Sequence, residues 1–262
     1  MKLKTNWKSY IENIRTREIN IILPYLKRRN IVKGLEMGAG TGFQSRLLIN
    51  YIENLYCTEL NEERLYKEKV NGIKYIIADA EIVDTYFETE FFDLVFSSNL
   101  LEHLPSPEKA IRGIKKILKF DGIAIHIIPS PFIAIIRILL WYPNLAVSLL
   151  NRIFNPKTRK NSRIRITKPK HVGNNLKLDR IISKWAGLLI PQPHAVSSNV
   201  IEEINYCKKK YWIRLFNENG FRVKLVLKGP VSSGFGFGFQ KTARLLEKFC
   251  LTSEYIYVMS KK

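Results

Sequence analysis

The sequence predicts an α/β protein built on a mostly parallel, doubly wound sheet of seven strands, with a helical insertion after the fifth strand. Three observations predict it. Short apolar runs alternate with stretches of helical periodicity between residues 31 and 128. A glycine-rich turn, Gly38-Ala39-Gly40-Thr41-Gly42, falls where the first run gives way to a helical stretch. The alternation stops at Pro129-Ser130-Pro131 and resumes only near Tyr206.

The elements follow in order. An amphipathic helix comes first, with Ile11, Ile14, Ile22, Tyr25 and Leu26 near helical spacing. Strands are expected at 31–37, 54–60, 73–78, 92–97 and 123–128. Helices are expected at 42–51, 62–69 and 108–118, the last with Ile111, Ile114, Ile117 and Leu118 on one face. Apolar strands separated by helices are the pattern of a parallel sheet covered on both faces. After the interruption come a helix at 206–219 closed by Gly220, a strand at 221–227, a helix at 241–249 and a strand at 255–259. These last strands suit an antiparallel edge. The chain therefore divides into 1–128, the ligand-binding part of the sheet domain; 129–205, a basic and apolar insertion; and 206–262, which returns to the same sheet. An open α/β sheet binds ligands at the carboxyl ends of its strands, so the insertion is expected to cap the site.

Composition excludes some classes. Hydrophobic residues make up 46% and charged ones 25% of the 262 residues, as in a globular protein and unlike a disordered chain. The basic N-terminal stretch lacks an unbroken apolar core and does not read as a secretory signal. Cys57, Cys207 and Cys250 lack metal-ligand spacing and are expected to be buried free thiols in a reducing cytoplasm. The net charge is +20, and its placement is uneven: residues 1–128 carry a net of +2 and residues 129–262 a net of +18. A cationic second half points to an anionic partner.

The turn 38–42 is the strongest chemical signal. Glycines remove the Cβ atoms that would keep a ligand from the backbone, and the following helix offers N–H donors. The spacing is G-x-G-x-G, distinct from the G-x-G-x-x-G dinucleotide fingerprint. Glu36 stands two residues before the first glycine, placed to attract an ammonium. Glu59 ends the next strand, where a carboxylate can accept from both hydroxyls of a ribose. Asp79 follows the third strand, where it can accept an adenine amino group.

Four blocks of text make the resemblance specific: LEMGAGTG, CTEL, ADAE and FFDLVFSSNLLEHLPSPEKAIRGIKKILKFDGIAIHIIP. The chain resembles the type 11 group of class I S-adenosylmethionine-dependent methyltransferases, closely over residues 30–130 and more loosely over the final helix and strands. The resemblance implies a Rossmann-like sheet and S-adenosyl-L-methionine as methyl donor. Carried over by position, it implies that Glu36, Gly38, Gly40, Glu59, Asp79, Ala80 and Asn99 line the cofactor. One departure is Phe120-Asp121-Gly122, where the group has a Pro-Gly-Gly turn; it is expected to alter a loop and not the chemistry.

Methyl transfer from a sulfonium needs alignment of donor and acceptor, and a base only where the acceptor must lose a proton. No Asn-Pro-Pro-Tyr signature of the kind used on exocyclic amines of bases is present. His126 lies inside an apolar strand and reads as structural, and His171 reads as a surface residue of the basic stretch. His103, after the fourth strand, and His194, in Pro191-Gln192-Pro193-His194, are the candidate bases.

Residues 131–151 contain one charge, Arg137, and a central Pro143-Asn144, which predicts an interfacial or re-entrant hairpin rather than a spanning helix. Residues 152–170 carry eight basic side chains and no acid. An apolar wedge beside a polybasic run is the two-signal arrangement for docking to anionic lipid, so 131–170 is expected to touch a membrane surface. Residues 178–190 show helical spacing of Ile181, Ile182, Trp185, Leu188 and Leu189, and 229–239 reads as an aromatic loop that can close over an apolar substrate. Glu202, Glu203 and Trp212 are similar to features of bacterial enzymes of surface polysaccharide and lipid assembly. That resemblance implies a hydroxyl of a lipid-linked, glycan or other small-molecule acceptor, at the inner face of a membrane. Two other readings compete: an RNA methyltransferase tracking phosphates with its basic half, and a non-catalytic membrane-binding module. Phe154 is the only aromatic between Arg152 and Lys170, which counts against stacking on bases; the intact glycine turn counts against loss of the cofactor.

Overall fold

The computed structural model describes residues 6–65, 69–154, 197, 199–233, 235, 237 and 239–262, with backbone alone for 148–154. It forms a seven-stranded sheet. In chain order the elements are α1 (Trp7–Lys27), β1 (Lys33–Met37), α2 (Phe43–Leu48), β2 (Asn54–Glu59), α3 (Glu62–Leu65), β3 (Ile73–Ile77), β4 (Phe92–Ser98), α4 (Pro107–Ile117), β5 (Leu118–Pro129), α5 (Pro131–Phe154), α6 (Val200–Tyr206), α7 (Lys209–Glu218), β6 (Phe221–Lys228), α8 (Gln240–Lys248) and β7 (Glu254–Lys261). The strand order is β3-β2-β1-β4-β5-β7-β6. The first five strands are parallel, and β7 runs antiparallel between β5 and β6. The sheet reverses its strand order between β1 and β4, which opens the crevice where such sheets take ligands.

The period-2 alternation of the buried strands divides the core into two layers. Leu35, Met37, Val95 and Ala124 face one side, where Ile111, Ile114, Trp212 and Phe216 cover them. Leu94, Phe96, Ile125 and Ile127 face the other, where Ile19, Ile22 and Leu26 of α1 and Leu48 of α2 cover them. Each fully buried side chain of this size contributes ~1.5–3 kcal/mol of transfer free energy, so the two layers fix which faces α1 and α4 present. Pro107 opens α4 at a position where a missing N–H costs nothing. His126, 1% exposed, bonds Ser97 Oγ through Nδ1 at 2.7 Å and stacks on Phe216. Burial holds its pKa down at about 3, so it stays neutral and structural.

Three expectations change. Residues 131–154 form one helix with Pro143 inside it rather than a broken hairpin. A mid-helix proline costs ~3 kcal/mol, and the chain offsets it by packing: Arg137 forms a bidentate pair with Glu203 of α6 at 2.8 and 2.9 Å, and Trp141 meets Phe235. The charge in the apolar run is thus paired across the cap. The expected helix at 206–219 starts later, at Lys209, as α7, and a separate helix, α6, precedes it within the expected insertion, with Cys207 and Lys208 between the two. Cys57 and Cys207 are buried, but Cys250 is exposed, in the turn that follows α8, where it takes φ 63°. Among the described residues no helix is long and apolar enough to cross a membrane. His171, His194, residues 155–170 and 178–190 lie outside the described residues, as do residues 66–68 of the expected 62–69 helix, whose last residue, Lys69, is not helical.

Candidate active site

The site forms where β1, β2, β3 and β4 end. Gly38, Gly40 and Gly42 all take positive φ (68°, 57° and 76°), a region that costs other L-residues roughly 1–2 kcal/mol. A Cβ at Gly38 would also lie 2.8 Å from Leu100 Cδ1, so the Leu100 side chain would have to shift to admit one. The turn is pinned by two backbone bonds, Ala39 N–H to the Thr58 carbonyl and Gly42 N–H to the Ala39 carbonyl, each 2.9 Å. Glu59 Oε2 accepts the Gly40 N–H at 3.0 Å, and Oε1 accepts the Asn61 N–H at 3.2 Å. A carboxylate has about four acceptor sites, so Glu59 keeps capacity for a ligand hydroxyl while the turn fixes its place. Arg64 lies over Gly40 but is 61% exposed and can swing away.

Ala78 N–H donates to the Glu59 carbonyl, which brings Asp79 and Ala80 beside Glu59. Asp79 is half-buried and its carboxylate accepts the Glu81 N–H at 2.9 Å, capping a short 3-10 turn. Glu36 is 2% exposed beneath the glycines, accepting a short hydrogen bond from the Ser45 hydroxyl. Burial raises its pKa to about 7 against the opposing pull of that hydroxyl and of Arg15. Glu36, Gly38, Gly40, Glu59, Asp79, Ala80 and Asn99 thus all stand at or just beyond the carboxyl ends of β1 to β4, with the Glu36 carboxylate turned inward onto Ser45. A glycine cradle with an anchored carboxylate fits a ribose-bearing cofactor.

A second group was not legible as a site. Arg15 and Glu18 of α1 reach across to the end of β4. Arg15 Nη1 donates to both Glu18 oxygens at 2.8 Å and to Ser98 Oγ at 2.5 Å. Glu18, fully buried, also accepts from Gln44 Nε2 at 2.9 Å and Ser98 Oγ at 3.0 Å. Asn99, at φ 50°, turns its amide oxygen toward the same guanidinium and accepts from Arg15 Nη2 at 3.2 Å. Glu254, which opens β7, completes the group: burial first, then the Glu18 charge, raises its pKa well above the usual range. Burial opposes the Arg15 charge, but Glu18 and Glu254 outweigh it and raise the Arg15 pKa. The signal in the sequence was Glu18 itself, an acid four residues from both Ile14 and Ile22 on the buried stripe of a helix.

His103 ends a 3-10 turn just after Asn99, with Nε2 3.7 Å from Glu102 Oε1, and burial lowers its pKa. Glu102 is fully buried, and its Oε2 has no partner among the described residues. Burial pushes its pKa to about 8, with its own backbone N–H and Arg15 pulling the other way. The folded chain therefore holds this proton where the unfolded chain, titrating near ~4.3, has lost it. The stabilisation is complete below ~4.3 and is lost as the pH rises through about 8, at about 1.4 kcal/mol per pH unit. The melting temperature of the cofactor-free chain is expected to fall as the pH rises across this window. Glu102→Gln, neutral at every pH, should flatten that fall in calorimetric melts. Equal slopes in the two proteins would mean Glu102 is already ionised at neutral pH.

Residues 35–126 match the family profile described as a methyltransferase domain, type 11. The 2-methyl-6-phytyl-1,4-hydroquinone methyltransferase 1 of Oryza sativa subsp. japonica is 32% identical over 104 residues, covering 37% of this chain and 31% of the relative. Phosphoethanolamine N-methyltransferase 2 of Caenorhabditis elegans is 35% identical over 98 residues, covering 34% and 22%. The chain thus spans less than a third of the length of these two curated relatives. Among solved structures, an S-adenosylmethionine-dependent methyltransferase from Mesorhizobium loti superposes with a TM-score of 0.52 at 14% identity, covering 92% of this chain and 97% of the other. That likeness shows the fold, and the profile falls on the strands that build the glycine cradle. Residues 35–126 thus form a class I S-adenosylmethionine-dependent methyltransferase domain of type 11, a domain that takes S-adenosyl-L-methionine as its cofactor.

Proposed function

We propose that the chain transfers a methyl group to a hydroxyl of a lipid-linked, glycan or other small-molecule acceptor, and that it works at an anionic membrane surface. S-adenosylmethionine, when bound, supplies a methyl group on a sulfonium whose leaving group needs no activation. The chain's own residues bind and orient. Glu59 holds the ribose hydroxyls, Asp79 with Ala80 borders the adenine, and the crevice between Asn99 and His103 receives the acceptor. His103, with its pKa lowered, is neutral at physiological pH and able to take the acceptor's proton; His194 is the other candidate base.

The observation that carries the membrane part is α5. It exposes Ile135, Leu139 and Tyr142 from the half of the chain that holds the +18 charge, and it leads directly into the run of basic residues at 152–170. The phytyl group in the name of the rice relative supports an acceptor with an apolar portion.

The test is transfer of labelled methyl from S-adenosylmethionine into a host-cell extract, separated into lipid, nucleic-acid, protein and soluble fractions. Label should enter the lipid fraction. Glu59→Ala removes charged hydrogen bonds worth ~1.5–3 kcal/mol, which corresponds to cofactor binding weakened by roughly 10- to 150-fold and incorporation reduced accordingly. Label in RNA would reassign the cationic half to phosphate binding and overturn the membrane reading.

A further inference from the structure

A cavity of about 200 Å³ lies between α1, α5, α8 and the loop joining β6 to α8. Its wall is mostly apolar: Ile14, Ile136, Leu139, Val231, Phe237 and Leu246 are among its lining residues. We propose that this cavity takes the apolar tail of the methyl acceptor, a prenyl or other branched hydrocarbon chain. The proposal rests on the methyl-transfer reading above and adds to it the class of group that the protein holds away from the reacting atom.

Position is the first argument. The cavity and the polar cluster share α1: Tyr10 and Ile14 line the cavity, while Arg15 and Glu18, within the next turn, meet Ser98 at the end of β4. They also share the start of β7. Ser232, in the cavity wall, donates its N–H to Ser253 Oγ at 2.9 Å, and the next residue is Glu254 of the polar cluster. The cavity thus adjoins, along α1 and the start of β7, the residues that surround the end of β4.

Chemistry is the second. Apolar cavities of roughly 150 Å³ stay dry and take up benzene, so this one has room for a ring or a short branched segment. Of the two arginines in its wall, Arg17 is neutralised by Glu247 at 2.6 Å and Arg244 is exposed. A longer chain would leave past Leu139 and Phe239, which line the cavity and are 67% and 47% exposed. Ile135 and Tyr142 continue that exposed apolar surface along α5. Large apolar side chains grouped at a cavity mouth mark a ligand path more often than an inert surface.

The experiment is calorimetric titration of the full chain with geraniol, a short prenyl alcohol, and separately with S-adenosylmethionine. Saturable geraniol binding is expected in the unmodified protein. Ala243→Trp and Val231→Trp fill the cavity and should weaken it by about tenfold or more, with cofactor affinity unchanged as the sign that each variant is folded. A diazirine-bearing prenyl alcohol gives a readout that needs no variant: its photolabel should fall on α5 or on residues 231–246. Absence of geraniol binding by a chain that binds S-adenosylmethionine, equal binding in the folded variants, or label elsewhere would each overturn the proposal and leave methyl transfer standing. A chain that takes up geraniol at this cavity but never binds S-adenosylmethionine would instead remove the methyl-transfer reading.

Discussion

Replacing Arg15 with alanine is expected to destabilise the fold by about 3 kcal/mol, read as a lower urea midpoint with an unchanged slope. The reason is what remains. Glu18 is fully buried and Glu254 is 6% exposed, and Arg15 is the cation that hydrogen-bonds Glu18 and lies close enough to act on Glu254. Removing one partner of a buried pair leaves an uncompensated charge, at a typical cost of ~3–5 kcal/mol. The lower end applies because the Arg15 side chain is 22% exposed, so water can enter where it stood. Two further variants separate charge from packing. Arg15→Ala combined with Glu18→Gln should recover at least about 1 kcal/mol, since the stranded carboxylate is gone. Arg15→Lys should fall between, because an ammonium keeps the charge and loses the planar fork. A loss within ~0.5 kcal/mol for Arg15→Ala, the range of an ordinary surface change, would mean that this buried group needs no cation.

This cluster also marks the limit of what the sequence discloses. The glycine turn, Glu59 and Asp79 are legible because each stands at a strand end, where local pattern alone fixes position. The seven strands are legible for the same reason: buried parallel strands read as continuous apolar runs. Arg15 and Glu18 act at a distance. Their partner Ser98 is 83 and 80 residues away, and nothing local distinguishes a helix acid that pairs with a strand end from one in water. Residues 131–154 failed in the opposite direction. Proline is a local helix breaker, and the contacts that overrule it, Arg137 with Glu203 and Trp141 with Phe235, come from segments 66 and 94 residues further on. Glu203 and Trp212, grouped in the sequence by resemblance to lipid and polysaccharide enzymes, divide between two structural tasks: Glu203 neutralises α5, and Trp212 fills the core.

Trp212→Ala is accordingly expected to cost ~3–5 kcal/mol, the range for truncating a large buried aromatic. The indole is 0% exposed and packs against Tyr206, Tyr211 and Phe216 at centroid separations of 5.3, 5.6 and 5.8 Å. These rings hold α6 and α7 to the sheet face built from Leu35, Val95 and Tyr257. Loss of the indole would leave a cavity too far inside for the helices to collapse into. Trp212→Phe separates packing from hydrogen bonding. Among the described residues the buried indole Nε1 has no partner, so phenylalanine gives up no hydrogen bond and relieves a polar group that costs ~1–3 kcal/mol to bury unsatisfied. That relief works against the smaller cavity, and Trp212→Phe should lose well under half of what Trp212→Ala loses in thermal or urea unfolding. Similar losses in the two variants would show that Nε1 makes a hydrogen bond that phenylalanine gives up.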